Sequence, residues 1–282
     1  MRSLREFLDT IRVEHTIFAL PFAYATLFLT SDGWPTASNA IWITVAMVAA
    51  RTVGMAVNRI IDAEVDARNP RTASRAIPAG RLHSSRALAF TAVALAFFIV
   101  AVWQLHPICR MLWPIVVAVM VAYPYAKRVT PLAHLVLGLV YFMVPTSVWL
   151  AVTGELSSAS LFLGVGAGAW VAGFDIIYAC QDVEVDRREK LHSIPADFGV
   201  ARGLAVAFGL HAAFVVCLVA AGSILSAGRP YYIGVTLTTV LLLYEHRLVK
   251  PHDLSKVNAA FFTTNGVVSI ALFALIALDT VI

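Results

Sequence analysis

Residues 41–66 read IWITVAMVAARTVGMAVNRIIDAEVD. The stretch begins as an apolar run and ends in carboxylates. Arg51, Asn58, Asp62 and Asp66 are separated by seven, four and four residues, so at about 100° per residue they share one face of a helix. A helix needs roughly 20 predominantly apolar residues to cross a hydrocarbon core. This segment predicts a membrane-spanning helix that carries a DxxxD pair to the membrane surface.

The rest of the chain has the same character. Of its 282 residues, 60% are hydrophobic and 13% charged, where soluble domains have about 45–50% and about 25%. Mean hydropathy is +0.80. These values exclude an ordinary soluble enzyme, a nucleic-acid binder and a disordered chain. The pI near 9.1 accompanies a net charge of only +4, and the basic residues sit in short breaks between apolar runs, which is the pattern of membrane topology. Cys109, Cys180 and Cys217 show no CxxC spacing, so neither a disulfide framework nor a zinc site is expected. Acidic residues interrupt the basic N-terminus and no cleavage site follows it, so no signal peptide is expected. Residues 2–14 instead predict a short surface helix, with Leu4, Leu8 and Ile11 on one face.

Cuts at charge clusters and Gly/Pro punctuation give nine spans, approximately 15–31, 39–62, 86–106, 110–126, 132–152, 159–182, 201–223, 229–248 and 256–279. The expected fold is an all-α membrane protein of about nine transmembrane helices in one bundle, with residues 1–282 forming a single domain. Every Lys and Arg except Arg51, Arg110 and Arg229 then falls on one side. This asymmetry places the N-terminus in the cytoplasm and the C-terminus outside, in the cytoplasmic membrane of a bacterium. The GVGAGAW run at 164–170 lies within a span and predicts a helix-packing face, not a nucleotide loop.

Charge is concentrated as well as scarce. Residues 58–86 and 181–202 together hold 18 of the 38 charged side chains. The second stretch continues the sixth span as DIIYACQDVEVDRREKLHSIPADFG, residues 175–199, with Asp175, Tyr178, Asp182 and Asp186 on one face. Both copies carry DxxxD at a helix end, then an IPA-containing loop closing on Gly80 or Gly199. Such an internal repeat points to a site at the interface of its copies. Carboxylates four residues apart do not both ionise cheaply without a cation. Mg²⁺ suits oxygen donors and typically bridges a few carboxylates to substrate phosphates. Arg51, Arg68, Arg71, Arg75, Lys127 and Arg128 surround the carboxylates as they would surround a diphosphate. Phe18, Phe22, Tyr123, Tyr125, Tyr141, Phe142, Trp149, Phe174 and Tyr178 offer aromatic surface to a lipid tail, although such residues more often form the core. Asp175, inside an apolar run, is a functional candidate by position alone. His15, His134 and His192 read first as cap or interfacial residues and second as acceptor contacts.

NRIIDAEVDARNPRTASRAIPAG (58–80), DIIYACQDVEVDRREKLHSIPADFG and, between them, YPYAKRVTPLAHLVLG (123–138) resemble the signatures of the UbiA superfamily of intramembrane prenyltransferases. The wording is most similar to the 4-hydroxybenzoate polyprenyltransferase-like enzymes, within them those of the futalosine route to menaquinone. The resemblance implies a nine-helix bundle with a cytoplasm-facing cavity. It also implies Mg²⁺-dependent transfer of a prenyl chain from a polyprenyl diphosphate to a carbon of an aromatic quinone precursor. Asn58, Asp62, Asp66, Asp182 and Asp186 match the metal positions, and Arg51, Arg75, Lys127 and Arg128 the basic ones. Asp175 is the expected base or orienter of the acceptor, and Tyr178 the expected shield of a carbocation. One departure is Arg59, where many members carry Asp after the Asn. Two alternatives remain. A cation-coupled transporter would explain the buried carboxylates but not the cations packed around them. A CDP-alcohol phosphotransferase would carry its aspartates in one continuous stretch.

Overall fold

A computed structural model describes residues 2–11, 16–31 and 33–282, with the side chains of all of these except 2 and 16–19. The end of the N-terminal amphipathic segment (12–14), His15 and the Phe18 side chain lie outside the described residues. The chain forms helices α1 (Arg2–Thr10), α2 (Thr16–Leu29), α3 (Ala37–Ile61), α4 (Ala63–Arg68), α5 (Ser84–Gln104), α6 (Cys109–Ala126) and α7 (Ala133–Thr153). These are followed by α8 (Ser158–Ala179), α9 (Val183–Arg188), α10 (Ile194–Phe198), α11 (Val200–Ile224), α12 (Arg229–Leu248) and α13 (Asn265–Val281), the last preceded by a π-helical turn, Ala259–Thr264. The spans begin where the sequence supplies caps. The Thr36 hydroxyl accepts from the Asn39 amide at the start of α3, and Ser157 and Ser160 form a reciprocal capping box on α8.

Among the described residues, seven helices are long and apolar enough to cross a membrane: α3, α5, α6, α7, α8, α11 and the continuous 259–281 segment. The two other expected spans fall short of that measure for identifiable reasons. The described part of α2 has only 14 residues. α12 begins on Arg229 and carries Glu245, His246 and Arg247 in its last turn.

Helix α8 is the hub. Its Trp170 stacks against Phe22, 4.9 Å away, and Phe214, 5.7 Å away, the three rings forming a triangle, and the helix packs along α7 and α11. In a bilayer, close packing of small residues replaces the hydrophobic drive between helices. The 164–170 run supplies them, as its composition predicts. A Cβ on Gly168 would stand 2.7 Å from the Gly138 carbonyl oxygen of α7, and one on Gly166 would stand 3.0 Å from Cys217 Cβ of α11. Several polar groups inside the bundle are paired. The Trp170 indole donates to Asn265 Oδ1 (2.7 Å), the Asn265 amide donates to Glu245 Oε1 (2.8 Å), and His211 Nδ1 lies 2.9 Å from His246 Nε2.

The segments expected on one membrane side meet at one end of the bundle. The Glu6 carboxylate of α1 accepts from Arg81 at 3.2 Å, and the His192 amide donates to the Lys127 carbonyl at 2.7 Å. Val249 and Val257 pack with Ile176 and Ile194. Helix α1 differs in detail from the expected amphipathic face. Phe7 and Ile11 are buried with Ile77 and Leu82, whereas Leu4 and Leu8 point outward. The loop from 69 to 82 gives α1 a protein surface to dock on, so only part of its apolar face is left for lipid.

Close approach of α7 and α8 is testable. Gly168→Ala should lower the thermal midpoint in detergent, with a cost of about 1–3 kcal/mol from overpacking. Gly209→Ala, where nothing lies within 4 Å of the added carbon, should leave the midpoint unchanged or slightly raised.

Candidate active site

Both DxxxD motifs interrupt their helix at the first aspartate. Asp62 (φ −91°, ψ 3°) separates α3 from α4, and Asp182 (φ −101°, ψ 4°) occupies the same position before α9. This corrects the expectation of one continuous helical face from Asn58 to Asp66 and from Tyr178 to Asp186. Each aspartate takes the N-cap position, but neither side chain makes a capping hydrogen bond. Both carboxylates are directed to cations instead, and the two copies share the break.

The buried Asp62 carboxylate accepts from Lys127 Nζ at 2.5 Å and from Arg128 Nη2 at 3.0 Å. Asp66 accepts from Arg75 Nη1 at 2.6 Å, with Arg59 at 4.0 Å. In the second copy, Arg71 grips Asp182 bidentately (Nε at 3.1 Å, Nη2 at 2.5 Å) and also donates to the Tyr178 hydroxyl at 2.8 Å. Burial works against the Arg71 charge, but the hydrogen bond and charge of Asp182 outweigh it and hold the guanidinium above its ordinary pKa. The Asn69 amide donates to Asp182 at 3.3 Å. Among the described residues, Asp186 accepts only from a neutral donor, Ser193 Oγ at 3.0 Å. A latch closes the two loops over this layer: Arg68 donates to Glu189 at 2.7 Å and Arg188 to the Arg68 carbonyl at 2.8 Å.

The structure thus brings together Asp62, Asp66, Arg75, Lys127 and Arg128 in one group, and Asp182 and Tyr178 in an adjacent one joined to it through residues 68–71. Asn58 stands at the edge, its Oδ1 accepting from Arg59 at 3.4 Å. The expected oxygen cage differs in one respect. Among the described residues no three His, Cys, Asp or Glu side chains are grouped to hold one ion by themselves, because lysine and arginine occupy the carboxylates. The donor set still fits a hard cation. Mg²⁺ uses one or two carboxylates and takes its remaining oxygens from phosphate and water, and each copy offers two aspartates.

Arg51 and Asp175 sit elsewhere. Arg51 lies about 10 Å deeper along α3 than Asn58, donates to the Ile11 carbonyl at 3.2 Å, and lines a cavity of about 160 Å³ between α3, α5, α6 and α7. The rest of that lining is largely apolar, including Met47, Phe98, Trp113, Met120 and Val144. Asp175 of α8 faces His134 of α7, with Oδ2 2.7 Å from Nδ1. Tyr141 interacts electrostatically with both Arg51 and Asp175, and Tyr123 with both Asp175 and Asp62. These two tyrosines therefore bridge the clamp, the Asp175 pair and the cavity. Phe22, Trp149 and Phe174 belong to the packed core, and Tyr125 is exposed beside Arg128, so none of these four offers tunnel surface. His192 pairs with Asp197 at 3.0 Å on the exposed loop.

Four contributors were not singled out from sequence as binding particular partners: Asn69, Arg71, Ser193 and His134. The Asn69-Pro70 turn dipeptide and the intramembrane position of His134 were the available signals. Arg71 reads from sequence only as one of the cations around the carboxylates, and Ser193 carries no signal beyond its place in the loop.

A cation-and-carboxylate clamp at the mouth of an apolar intramembrane cavity defines an integral-membrane enzyme that handles an amphipathic anion. Residues 19–267 match the UbiA prenyltransferase family, and the chain belongs to that family; it is an aromatic prenyltransferase. It is 28% identical over 280 residues to the 4-hydroxybenzoate octaprenyltransferase of Aliivibrio fischeri (strain MJ11), covering 97% of each chain. The structure of a UbiA homolog from Aeropyrum pernix K1 superposes with a TM-score of 0.86 at 33% identity, over 95% of this chain and 98% of that one. A UbiA homolog from Archaeoglobus fulgidus bound to GPP and Mg²⁺ has a TM-score of 0.77 at 17% identity, over 98% of this chain and 99% of that one, a likeness of fold alone. Family membership displaces the transporter and phosphotransferase alternatives.

Burial raises the Asp186 pKa from 3.8 to about 6, opposed by the Ser193 hydrogen bond. The metal-free native state therefore holds a proton there more tightly than the unfolded chain does. Its stability should fall as pH rises from about 4 through 6. Asp186→Asn should remove that part of the pH dependence, so the wild-type and variant melting midpoints should diverge between pH 5 and 7.5 in metal-free detergent.

Proposed function

We propose that this enzyme transfers a prenyl chain from an allylic polyprenyl diphosphate to a ring carbon of an aromatic quinone precursor, a hydroxybenzoate or a carboxylated naphthoquinol. The observation that carries the proposal is the doubled aspartate break facing Lys127, Arg128, Arg71 and Arg75 beside an apolar cavity. Two expectations from sequence join it as part of the same proposal. The chain crosses the membrane nine times, with α2 and α12 among the spans, and the clamp faces the cytoplasm. The acceptor belongs to the carboxylated naphthoquinols of the futalosine route.

Asn58, Asp62, Asp66, Asp182 and Asp186 would hold Mg²⁺. When bound, it neutralises diphosphate charge and makes the diphosphate a better leaving group. In its absence each carboxylate except Asp186 already has a cation. Incoming diphosphate draws Lys127, Arg128, Arg75 and Arg71 from carboxylate to phosphate, and the freed carboxylates face the metal. The same cations then stabilise the charge that grows on the leaving group. The apolar cavity, which runs about 16 Å along α7 from Val140 to Ala151, receives the prenyl tail and keeps water from the allylic carbon. Arg51, at the end of the cavity nearest the clamp, receives the acceptor's carboxylate. Tyr178, held by Arg71 and against Phe261 with ring centroids 4.3 Å apart, presents a fixed ring near the carbon that gains positive character. Asp175 and His134 lie on the acceptor side.

Purified protein in detergent, given Mg²⁺, a mixture of prenyl diphosphates and a panel of aromatic acids, should release diphosphate and form a C-prenylated product identifiable by mass spectrometry. Asp62→Ala and Asp182→Ala should cut turnover by at least about 100-fold while the protein stays folded. Near-wild-type turnover in either would overturn the clamp assignment. Lys127→Ala should weaken prenyl diphosphate binding more than acceptor binding. Competition between 4-hydroxybenzoate and a carboxylated naphthol for the same prenyl diphosphate decides the acceptor class.

A further inference from the structure

His134 is buried in α7, at 4% exposure, within a segment that must satisfy its polar groups internally. Its Nδ1 is 2.7 Å from Asp175 Oδ2. Its Nε2 is buried and has no hydrogen-bond partner among the described residues. With Asp175 ionised, the tautomer is fixed: Nδ1 carries the hydrogen and donates it to the carboxylate, and Nε2 keeps its lone pair. An imidazole oriented by a carboxylate and left with a free lone pair is the arrangement of a general base. Its place supports that use. Asp175 interacts electrostatically with Tyr123 and Tyr141, and His134 lies within electrostatic range of Asp186. The dyad therefore stands between the diphosphate clamp and the Arg51 end of the cavity, where the two substrates must meet.

Resting on the acceptor class proposed above, we infer that His134 Nε2 is the catalytic base that takes the acceptor's phenolic proton, and that Asp175 is the positioning residue behind it. The O–H bond breaks, the proton goes to Nε2, and the oxygen's electron pair moves into the ring. The carbon ortho to that oxygen forms the new C–C bond to C1 of the allyl group, while the C1–O bond breaks and diphosphate leaves with its electron pair. Loss of the ortho C–H proton to the departing diphosphate restores the aromatic ring as His134 returns its proton to the oxygen. The sum is phenol plus prenyl diphosphate giving prenylphenol, diphosphate and one proton, with the base regenerated.

This assignment divides the labour of Asp175 and His134 in a way that can be measured. His134→Gln keeps a polar group of similar reach but cannot carry the proton. With unsubstituted 4-hydroxybenzoate its kcat should fall by about 100-fold or more, with little change in the KM for prenyl diphosphate. The deficit should shrink stepwise with 2-fluoro- and 2,6-difluoro-4-hydroxybenzoate, because each fluorine makes the hydroxyl more acidic and less dependent on a base while leaving both ortho carbons free. Asp175→Asn should show the same acceptor-dependent recovery from a smaller deficit. Retained binding of radiolabelled prenyl diphosphate confirms that each variant is folded. Turnover of His134→Gln within about fivefold of wild type, or a deficit equal across all acceptors in both variants, would overturn the inference and leave the prenyl transfer standing. A wild-type enzyme inactive toward every 4-hydroxybenzoate in the series and toward a carboxylated naphthoquinol would overturn the acceptor class and this inference with it.

Discussion

Ionised carboxylates at a membrane face require compensation, and the arrangement of this protein follows from how that compensation is supplied. An isolated buried charge costs several kcal/mol or more even after relaxation. Asp62, at 3% exposure, meets the requirement with two cations from the end of α6. Asp182 meets it with a bidentate arginine from the other copy's loop. These ion pairs are weak evidence for stability in themselves, since desolvation cancels much of the attraction. Their consequence is a fixed position. Each cation comes from a different segment than its carboxylate, so the pairs hold α4, α9, the end of α6 and both loops in one layer. A substrate that carries its own negative charge can enter such a layer by exchanging partners, without leaving any charge unpaired.

The bundle beneath the layer is held by different forces. The packing of Gly138 on Gly168 and of Gly166 on Cys217 sets the spacing of α7, α8 and α11. That spacing positions Asp175 of α8 against His134 of α7. A helix pair one methyl group further apart would lengthen the Asp175–His134 contact beyond hydrogen-bond range. Small residues in α8 therefore connect directly to the geometry of the acceptor side. The Trp170–Asn265–Glu245 chain, one helix further out, closes the polar groups of α12 and α13 into the same packing. It lets α12 carry Glu245 inside the bundle although its composition is less apolar than that of its neighbours.

Much of this was legible in the sequence because it is local. Span ends follow from charge clusters and cap residues, and the DxxxD pairs, the Lys127-Arg128 dipeptide and the closing glycines are contiguous patterns. Gly80 and Gly199 adopt φ of 72° and 90°, as a loop that reverses on glycine requires. The pairings were not legible, because they join residues far apart in the chain. Arg71 and Asp182 are 111 positions apart, and His134 and Asp175 are 41 apart. Helical periodicity gives the face on which Asp182 stands but not the cation opposite it. It also assumes an unbroken helix, whereas one residue, Asp62, separates α3 from α4 and three, 180–182, separate α8 from α9. The partition of the aromatics was hidden for the same reason, since Phe22 and Tyr141 have equivalent apolar neighbourhoods in sequence and only packing assigns one to the core and the other to the cavity.

The repeat is symmetric in its backbone and asymmetric in its charge, and the asymmetry has a direction. In the first copy both aspartates are neutralised, Asp66 by Arg75 with the half-buried Arg59 nearby. In the second copy only Asp182 has a cation at ion-pair distance among the described residues. Asp186 relies on the Ser193 hydroxyl and is pushed up to about 6 by burial. A neutral donor supports a carboxylate less than a cation does, so Asp186 is the member of the set whose ionised form most lacks a partner. Arg59 reinforces the contrast by adding a positive charge to the first copy where a carboxylate would have added a negative one. The first copy is thus biased toward holding phosphate oxygens and the second toward holding a cation. A linear diphosphate bridged to a hard cation fits across a clamp polarised in that sense.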